Sequence, residues 1–494
     1  MEKKKAIVIG SGVAGLASAL RLAKKGMEVQ VFEANDFFGG KINSVVSEGG
    51  FRFDRGPSIF TAPHYIKELY DLCDEDFENF EMVDFGKSFN YFFNDGTRLK
   101  LSTNKREIIE EISSKLNEDP STISDYLTKA KKNYESIIPL FVEKSLHKWK
   151  TLLGSKFLKA LINIPKYKLT RTMNEENTKT FKNLKTVQIF NRFASYNGSD
   201  PFKAPAMLNM ICHMEMNLPL YFPKKGMFQI TESIYNLCLK HRVKFHFNEK
   251  VSKINVEEGR VIGVTTNKET YNSDIVFSNM DVSFTYEKLL TNESHPQKIL
   301  DQPRSSSAVV FYWGIDKEFS ELSLHNLLFT DDYKKEFNGV FDLNETQDDP
   351  SIYINITSKY VEGDAPSGKE NWFTMINAPI NIDQDWEKET QRIRAMLVKK
   401  INKVLKTDIE KHIVSEKVMN PEFIENTYSC KGGSIYGNAS NNKYAAFLRH
   451  PNFSKKIKGL YFVGVSVHPG GGIPLALNSA KIATEIMSKD FRLN

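Results

Sequence analysis

The sequence predicts a mixed α/β fold, a Rossmann-like unit at the N-terminus with an α+β region interleaved into it. Three observations point there. The chain opens on a strand-turn-helix-strand pattern, its later segments alternate between strand and helix periods, and its 494 residues are too many for one ordinary core. Two or three domains are therefore expected.

The elements follow in chain order. Residues 6–9 (Ala6-Ile7-Val8-Ile9) form a short apolar run of buried-strand type. Residues 13–25 are helical in period, with Ala14, Leu16, Ala17, Leu20 and Leu22 available for packing, and residues 29–32 read as strand again. From about residue 65 to 192 the chain is Lys/Glu-rich, mostly helical in period and without Gly-rich turns, which predicts a helical insertion. Strand-like segments return at 243–247, 260–266, 275–278 and 307–315, and 386–404 reads as helix. With no repeat and no Pro/Ser-rich linker, the alternation suggests interleaved domains.

Composition narrows the function. A net charge of +6, from 67 basic and 61 acidic residues, is too balanced for a nucleic-acid partner. The 35 Phe suggest that something apolar is handled. Charge is segregated in one place, residues 144–174, which hold eight Lys or Arg and no Asp or Glu. Cys73, Cys212, Cys238 and Cys430 are scattered without a C-x-x-C pair, so neither a disulfide framework nor a metal site is suggested, and a reducing cytoplasm is expected. Residues 459–480 lack charge and are long enough to tempt a membrane-span reading. Their five Gly and two Pro fit a strand, a turn and a helix start instead, so no transmembrane segment is expected.

Gly10-x-Gly12-x-x-Gly15 lies between the first strand and the first helix, where glycine permits a tight turn and close approach of backbone to a pyrophosphate. Phosphate would sit on the helix start at Val13 and Ala14. Glu33 closes the second strand, where a carboxylate can accept hydrogen bonds from adenosine ribose hydroxyls. The apparent secretory signal at the N-terminus is better explained by this glycine spacing.

Three further motifs carry a resemblance: Phe38-Gly39-Gly40-Lys41, the element from Phe51-Arg52-Phe53-Asp54 to Gly56-Pro57-Ser58, and the run from Leu460 through Gly464 and His468-Pro469-Gly470-Gly471-Gly472-Ile473-Pro474. Together they resemble the carotenoid (phytoene-type) desaturases within the flavoprotein superfamily of amine oxidases. The resemblance implies FAD on a domain of the glutathione-reductase-like, amine-oxidase type, formed by residues 1–72, 219–290 and 420–494. Residues 73–218 and 291–419 would bind substrate and face a membrane. It further implies that Lys41 approaches the FAD phosphates, that Gly39, Gly40, Pro57 and Ser58 pass close to the cofactor, and that Val251 holds its adenine side. Gly464, Gly471, Gly472 and Ile473 would close on the flavin.

Residues 199–206 and the Met-rich run to Gly226-Met227 are similar to the family's substrate-domain signature, with Lys225 where the family usually has glycine. Residues 143–148, 305–307 and 445–451 resemble the branch acting on hydroxylated or monocyclic carotenoids at the 3,4 bond. The implied chemistry is hydride loss from an allylic carbon to flavin, with the cation spread along the polyene, so little acid-base power is needed. His468, and Glu215 as acceptor of the second proton, are the candidate catalytic residues, each weighed against a purely structural role. The basic stretch 144–174 interleaves Trp149, Leu152, Phe157 and Leu161 with its lysines as an interfacial helix would, which suggests a cytoplasmic protein peripherally bound to membrane. Alternatives are a phytoene desaturase acting on the acyclic precursor, a flavin amine oxidase, and a prenyl-lipid carrier resembling the GDP-dissociation inhibitors. The final electron acceptor stays open between quinone and oxygen.

Overall fold

The computed structural model describes residues 3–84, 86–148, 168–442, 445 and 449–492. Its first body is built on a five-stranded parallel sheet in the order Leu460–Phe462, Ile275–Ser278, Lys5–Ile9, Glu28–Phe32, Lys244–His246. The central strand is apolar on both faces because both are covered. On one side, helix Val13–Lys24 lies between Gln229–Lys240 and Ile473–Asp490, with Leu16, Ala17, Leu20, Ile234, Ala476, Ala480 and Ala483 in one core. On the other, Ile7, Ile9, Val276 and Phe462 meet Val251, Ile254 and Val264 of a three-stranded antiparallel sheet, Val251–Glu257, Arg260–Thr266 and Thr270–Asn272. The result is helix, parallel sheet and antiparallel sheet in three layers.

The second body carries a seven-stranded mixed sheet in the order Ile413–Met419, Ser307–Ile315, Glu370–Ala378, Ile352–Ile356, His325–Leu328, Lys87–Phe92, Arg98–Ser102. Side chains alternate across it with period two. Val309, Phe311, Trp313 and Ile315 pack against Ile393, Leu397 and Ile401 of helix Trp386–Leu405. Ala308, Val310 and Tyr312 face the opposite way, into an aromatic core shared with Phe51, Phe53, Phe89, Tyr91, Tyr353 and Phe373. That second face is turned toward the segment carrying Ser58.

The strands expected at 260–266, 275–278 and 307–315 are observed at those bounds, and residues 459–480 form strand, glycine turn and helix start. The stretch 65–192 is not uniformly helical. Lys87–Phe92 and Arg98–Ser102 form an antiparallel hairpin at the edge of the seven-stranded sheet. Its sequence signal is Asp95-Gly96, a turn-forming pair, before Arg98-Leu99-Lys100-Leu101, which alternates exposed and buried. Among the described residues no helix is long and apolar enough to cross a membrane. Most of the basic stretch, residues 149–167, lies outside the described residues.

Candidate cofactor and substrate site

The carboxyl ends of the parallel strands converge on Gly10, Gly12 and Gly15. Gly10 N–H donates to the Phe32 carbonyl at 2.8 Å, closing the turn against the neighbouring strand. A Cβ at Gly15 would lie 2.1 Å from the Gly10 carbonyl oxygen, so the helix can reach this strand only with glycine there. Gly39 has φ +95°, and its N–H donates to the Ser11 carbonyl at 2.9 Å, docking the Gly39-Gly40 segment on the glycine turn. Asn279, at the end of its strand, backs the same cup: a Cβ at Gly12 would meet Asn279 Nδ2 at 2.7 Å, and one at Gly464 would meet its Oδ1 at 2.8 Å.

This donor set suits a dinucleotide. Helix Val13–Lys24 starts at Gly12 and helix Ile473–Asp490 at Gly472, and neither N-cap has a side-chain hydrogen bond. Val13 and Ala14 open the first helix and Ile473 the last, so both N-termini offer main-chain donors and positive potential to an anionic or reduced group. Glu33 is buried. Its Oε2 accepts from Ser11 N–H and Oγ–H at 2.9 and 2.8 Å, its Oε1 from Asn35 N–H and Nδ2–H at 3.0 and 2.9 Å. Ribose hydroxyls would thus replace the Ser11 and Asn35 side-chain donors, which can rotate away. Glu249 N–H donates to the Glu33 carbonyl at 2.9 Å, so the chain entering Val251 runs beside this carboxylate's strand end.

Other expected site residues are engaged within the protein. Lys41 Nζ donates to the Ile435 carbonyl at 2.6 Å and to Cys430 Sγ at 3.5 Å, tying the Gly39-Gly40 segment to residues 430–435. A Cβ at Gly471 would lie 2.5 Å from the Tyr436 ring, so this same chain segment packs under the C-terminal glycines. His468 is buried, and its Nε2–H donates to the Lys144 carbonyl at 2.8 Å. Its own carbonyl accepts from Asn452 Nδ2 at 2.7 Å. Burial lowers its pKa to about 4, so it is neutral at ordinary pH. Asn478 Nδ2, in the last helix, donates to the Val142 carbonyl, a second tie between the C-terminal segment and residues 142–144.

On the aromatic side, Glu215 is fully buried. Arg192 Nη2 meets its two oxygens at 2.7 and 2.9 Å, and the Tyr196 hydroxyl donates to it as well. The Arg192 guanidinium also lies 4.4 Å from the Phe89 centroid and 4.5 Å from that of Phe193, so the cation is caged by rings. Beside this pair runs a hydrogen-bonded line. Ser58 Oγ lies 2.7 Å from the Tyr353 hydroxyl, which lies 2.8 Å from His325 Nδ1. Sequence reading picked out Ser58 but missed Tyr353, His325, Arg192 and the placement of Asn279. The signal for Tyr353 and His325 was slight: Tyr353 and Asn355 interrupt the isoleucines of strand Ile352–Ile356, and His325 opens the short strand His325-Asn326-Leu327-Leu328.

The site's main-chain cradle and paired glycine-capped helices define a dinucleotide-binding oxidoreductase fold. The family described as flavin containing amine oxidoreductase matches residues 13–487, and the chain belongs to that family, with FAD as its cofactor. Among its relatives, the 1-hydroxycarotenoid 3,4-desaturase of Flavobacterium sp. is 47% identical over 484 residues, covering 98% of this chain and 99% of that one. The 4,4'-diaponeurosporene oxygenase of Staphylococcus aureus is 31% identical over 499 residues, covering 99% of each. Cyclohexylamine oxidase from Brevibacterium oxydans shares the fold, with a TM-score of 0.61 at 12% identity over 99% of this chain and 100% of that one.

Proposed function

We propose that this protein is an FAD-dependent carotenoid desaturase that introduces a C=C bond at the 3,4 position of a hydroxylated or monocyclic carotenoid. The observation that carries this reading is the 47% identity, running end to end, with a 1-hydroxycarotenoid 3,4-desaturase. The likeness to cyclohexylamine oxidase, at 12% identity, concerns the fold alone.

On this reading residues 1–72, 219–290 and 420–494 hold FAD, through Gly10, Gly12, Val13, Ala14, Gly15, Glu33, Gly39, Gly40 and Val251 toward its adenosine and phosphates. Pro57, Ser58, Gly464, Gly471, Gly472 and Ile473 lie toward its flavin. Bound there, FAD supplies the acceptor for the hydride that leaves the allylic carbon. The chain's own part is positioning: helix N-termini hold negative charge, the glycines allow close approach, and the aromatic core excludes water. Of the two candidate catalytic residues, His468 ties the C-terminal turn to residues 142–144, and Glu215 neutralises Arg192. Both therefore act by holding structure, and the second proton needs no dedicated strong base.

The test is incubation of the FAD-loaded protein with acyclic, monocyclic and hydroxylated carotenoids and, separately, with primary amines, following product spectra. A red shift with the hydroxylated or monocyclic substrate is expected. Turnover of amines with no spectral change in any carotenoid would replace this reading by amine oxidation. Peripheral membrane binding through residues 144–174 completes the proposal. Sedimentation with anionic liposomes should be lost when Lys150, Lys156, Lys159 and Lys166 are replaced by Glu, and unchanged binding would remove that segment from it.

A further inference from the structure

His325 is 4% exposed and sits on the face of the seven-stranded sheet that meets the Ser58 segment, with Leu327 beside it on that face. Its tautomer follows from its neighbours. Asn355 Nδ2 donates to the Leu324 carbonyl at 2.9 Å, which fixes the amide's orientation, and the same nitrogen lies 3.2 Å from His325 Nδ1. An amide nitrogen only donates, so Nδ1 is the acceptor and the proton of this neutral imidazole is on Nε2. The ring is neutral because burial, and then the Arg192 charge, lower its pKa to about 3. Tyr353 O–H then shares the single Nδ1 lone pair with the Asn355 N–H, as the shorter of the two contacts, and Ser58 O–H donates to the Tyr353 oxygen.

The hydrogen bonds of the ring all fall on Nδ1, and no acceptor for the Nε2–H is found among the described residues. What surrounds it is unsuited to accept: the Phe89 ring is stacked on the imidazole at 5.0 Å, the Tyr353 ring lies at 6.1 Å, and the nearby Arg192 is a cation. An acceptor is what this donor lacks within its aromatic surroundings. A ligand oxygen would supply it. Ser58, at the far end of the line, belongs to the loop assigned above to the flavin, so His325 lies on the substrate side of the reacting centre.

We propose that His325 determines substrate specificity, its Nε2–H hydrogen-bonding the hydroxyl oxygen that a hydroxylated carotenoid carries beside the bond to be desaturated. This rests on the desaturase reading. In a 1-hydroxycarotenoid only carbon 2 separates the hydroxyl-bearing carbon from the 3,4 bond, so whatever holds the hydroxyl must stand next to the flavin loop. The line Ser58, Tyr353, His325 meets that requirement and holds the donor in one tautomer and orientation.

The test compares kcat/KM, and binding followed by quenching of protein fluorescence, for a 1-hydroxycarotenoid and its 1-deoxy counterpart. It uses the wild-type protein, His325→Gln and His325→Asn, all checked for FAD content. Gln presents an N–H near the Nε2 position and should keep the preference for the hydroxylated substrate. Asn presents it near Nδ1 instead and should lose about 10- to 100-fold on that substrate, in binding and in kcat/KM, with the deoxy compound unchanged. An equal fall on both substrates, or a wild-type protein that desaturates both equally well, overturns the proposal and leaves the desaturase reading standing. A wild-type protein that desaturates neither overturns both.

Discussion

The parallel-sheet body offers a ligand almost only main chain, whereas the seven-stranded body offers side chains. At Gly10, Gly12, Gly15, Gly39 and Gly472 the useful groups are N–H donors, and the side chain's contribution is to be absent. Across the molecule, Arg192, Glu215, Tyr353 and His325 are buried polar groups brought together from strands and helices far apart in sequence, each hydrogen-bonded to another. The first arrangement fits a cofactor common to many enzymes. On the proposed reading the second would meet the substrate, and could be tuned to it without disturbing the first. It is also the costlier, because every buried polar group must be matched.

The largest effect should come from unmatching the second body. Arg192→Met leaves Glu215 buried without its cation, and an unfolding free energy lower by about 3–5 kcal/mol is expected in denaturant titration. Adding Glu215→Leu should recover most of it. A single variant as stable as wild type would show that the pair is not desolvated, and would weaken the contrast between the bodies. Next is Gly15→Ala, whose Cβ falls 2.1 Å from the Gly10 carbonyl oxygen. FAD affinity should drop roughly 100-fold, read from flavin retained after dialysis, with far-ultraviolet dichroism unchanged.

A smaller effect depends on pH. Burial pushes the Glu336 carboxyl up to about 7, although Ser351 Oγ donates to it at 2.7 Å. A folded-state pKa above the unfolded 4.5 means the folded protein holds that proton more tightly, so its favourable contribution is full below about pH 4.5 and is lost as pH rises through about 7. Wild type should therefore lose about 1–3 kcal/mol more than Glu336→Gln between those limits, and parallel pH curves would contradict it. The smallest effect is expected at His468. His468→Ala should slow turnover less than about tenfold and leave the rate profile between about pH 6 and 8 unshifted, because the group is already neutral there.

The same contrast explains what was legible beforehand. The strand-glycine-helix pattern, Glu33 and the C-terminal turn could be read because main-chain recognition leaves its mark in contiguous residues. The three-layer body follows from them almost directly. The hairpin at 87–102 was missed because Asp95-Gly96 stands in a Lys/Glu-rich stretch whose helical period dominates. His325, Tyr353 and Ser58 were not joined because the pairing of two strands brings the first two together and Ser58 reaches Tyr353 from a loop 295 positions earlier. Glu215 was seen as a carboxylate, but its partner Arg192 lies 23 positions away in another element. Nothing local distinguishes a carboxylate that takes a proton from one that holds an arginine.

The central claim is that a carotenoid, not an amine, passes its electrons to the flavin of this protein. Anaerobic rapid mixing of FAD-loaded enzyme with a 1-hydroxycarotenoid tests it most directly, followed through flavin absorbance and the product's red shift. The account predicts that flavin bleaching and product appear together in equal amounts, and more slowly when the allylic hydrogens at the 3,4 bond are replaced by deuterium. Flavin that stays oxidised with every carotenoid but bleaches with an amine would contradict it.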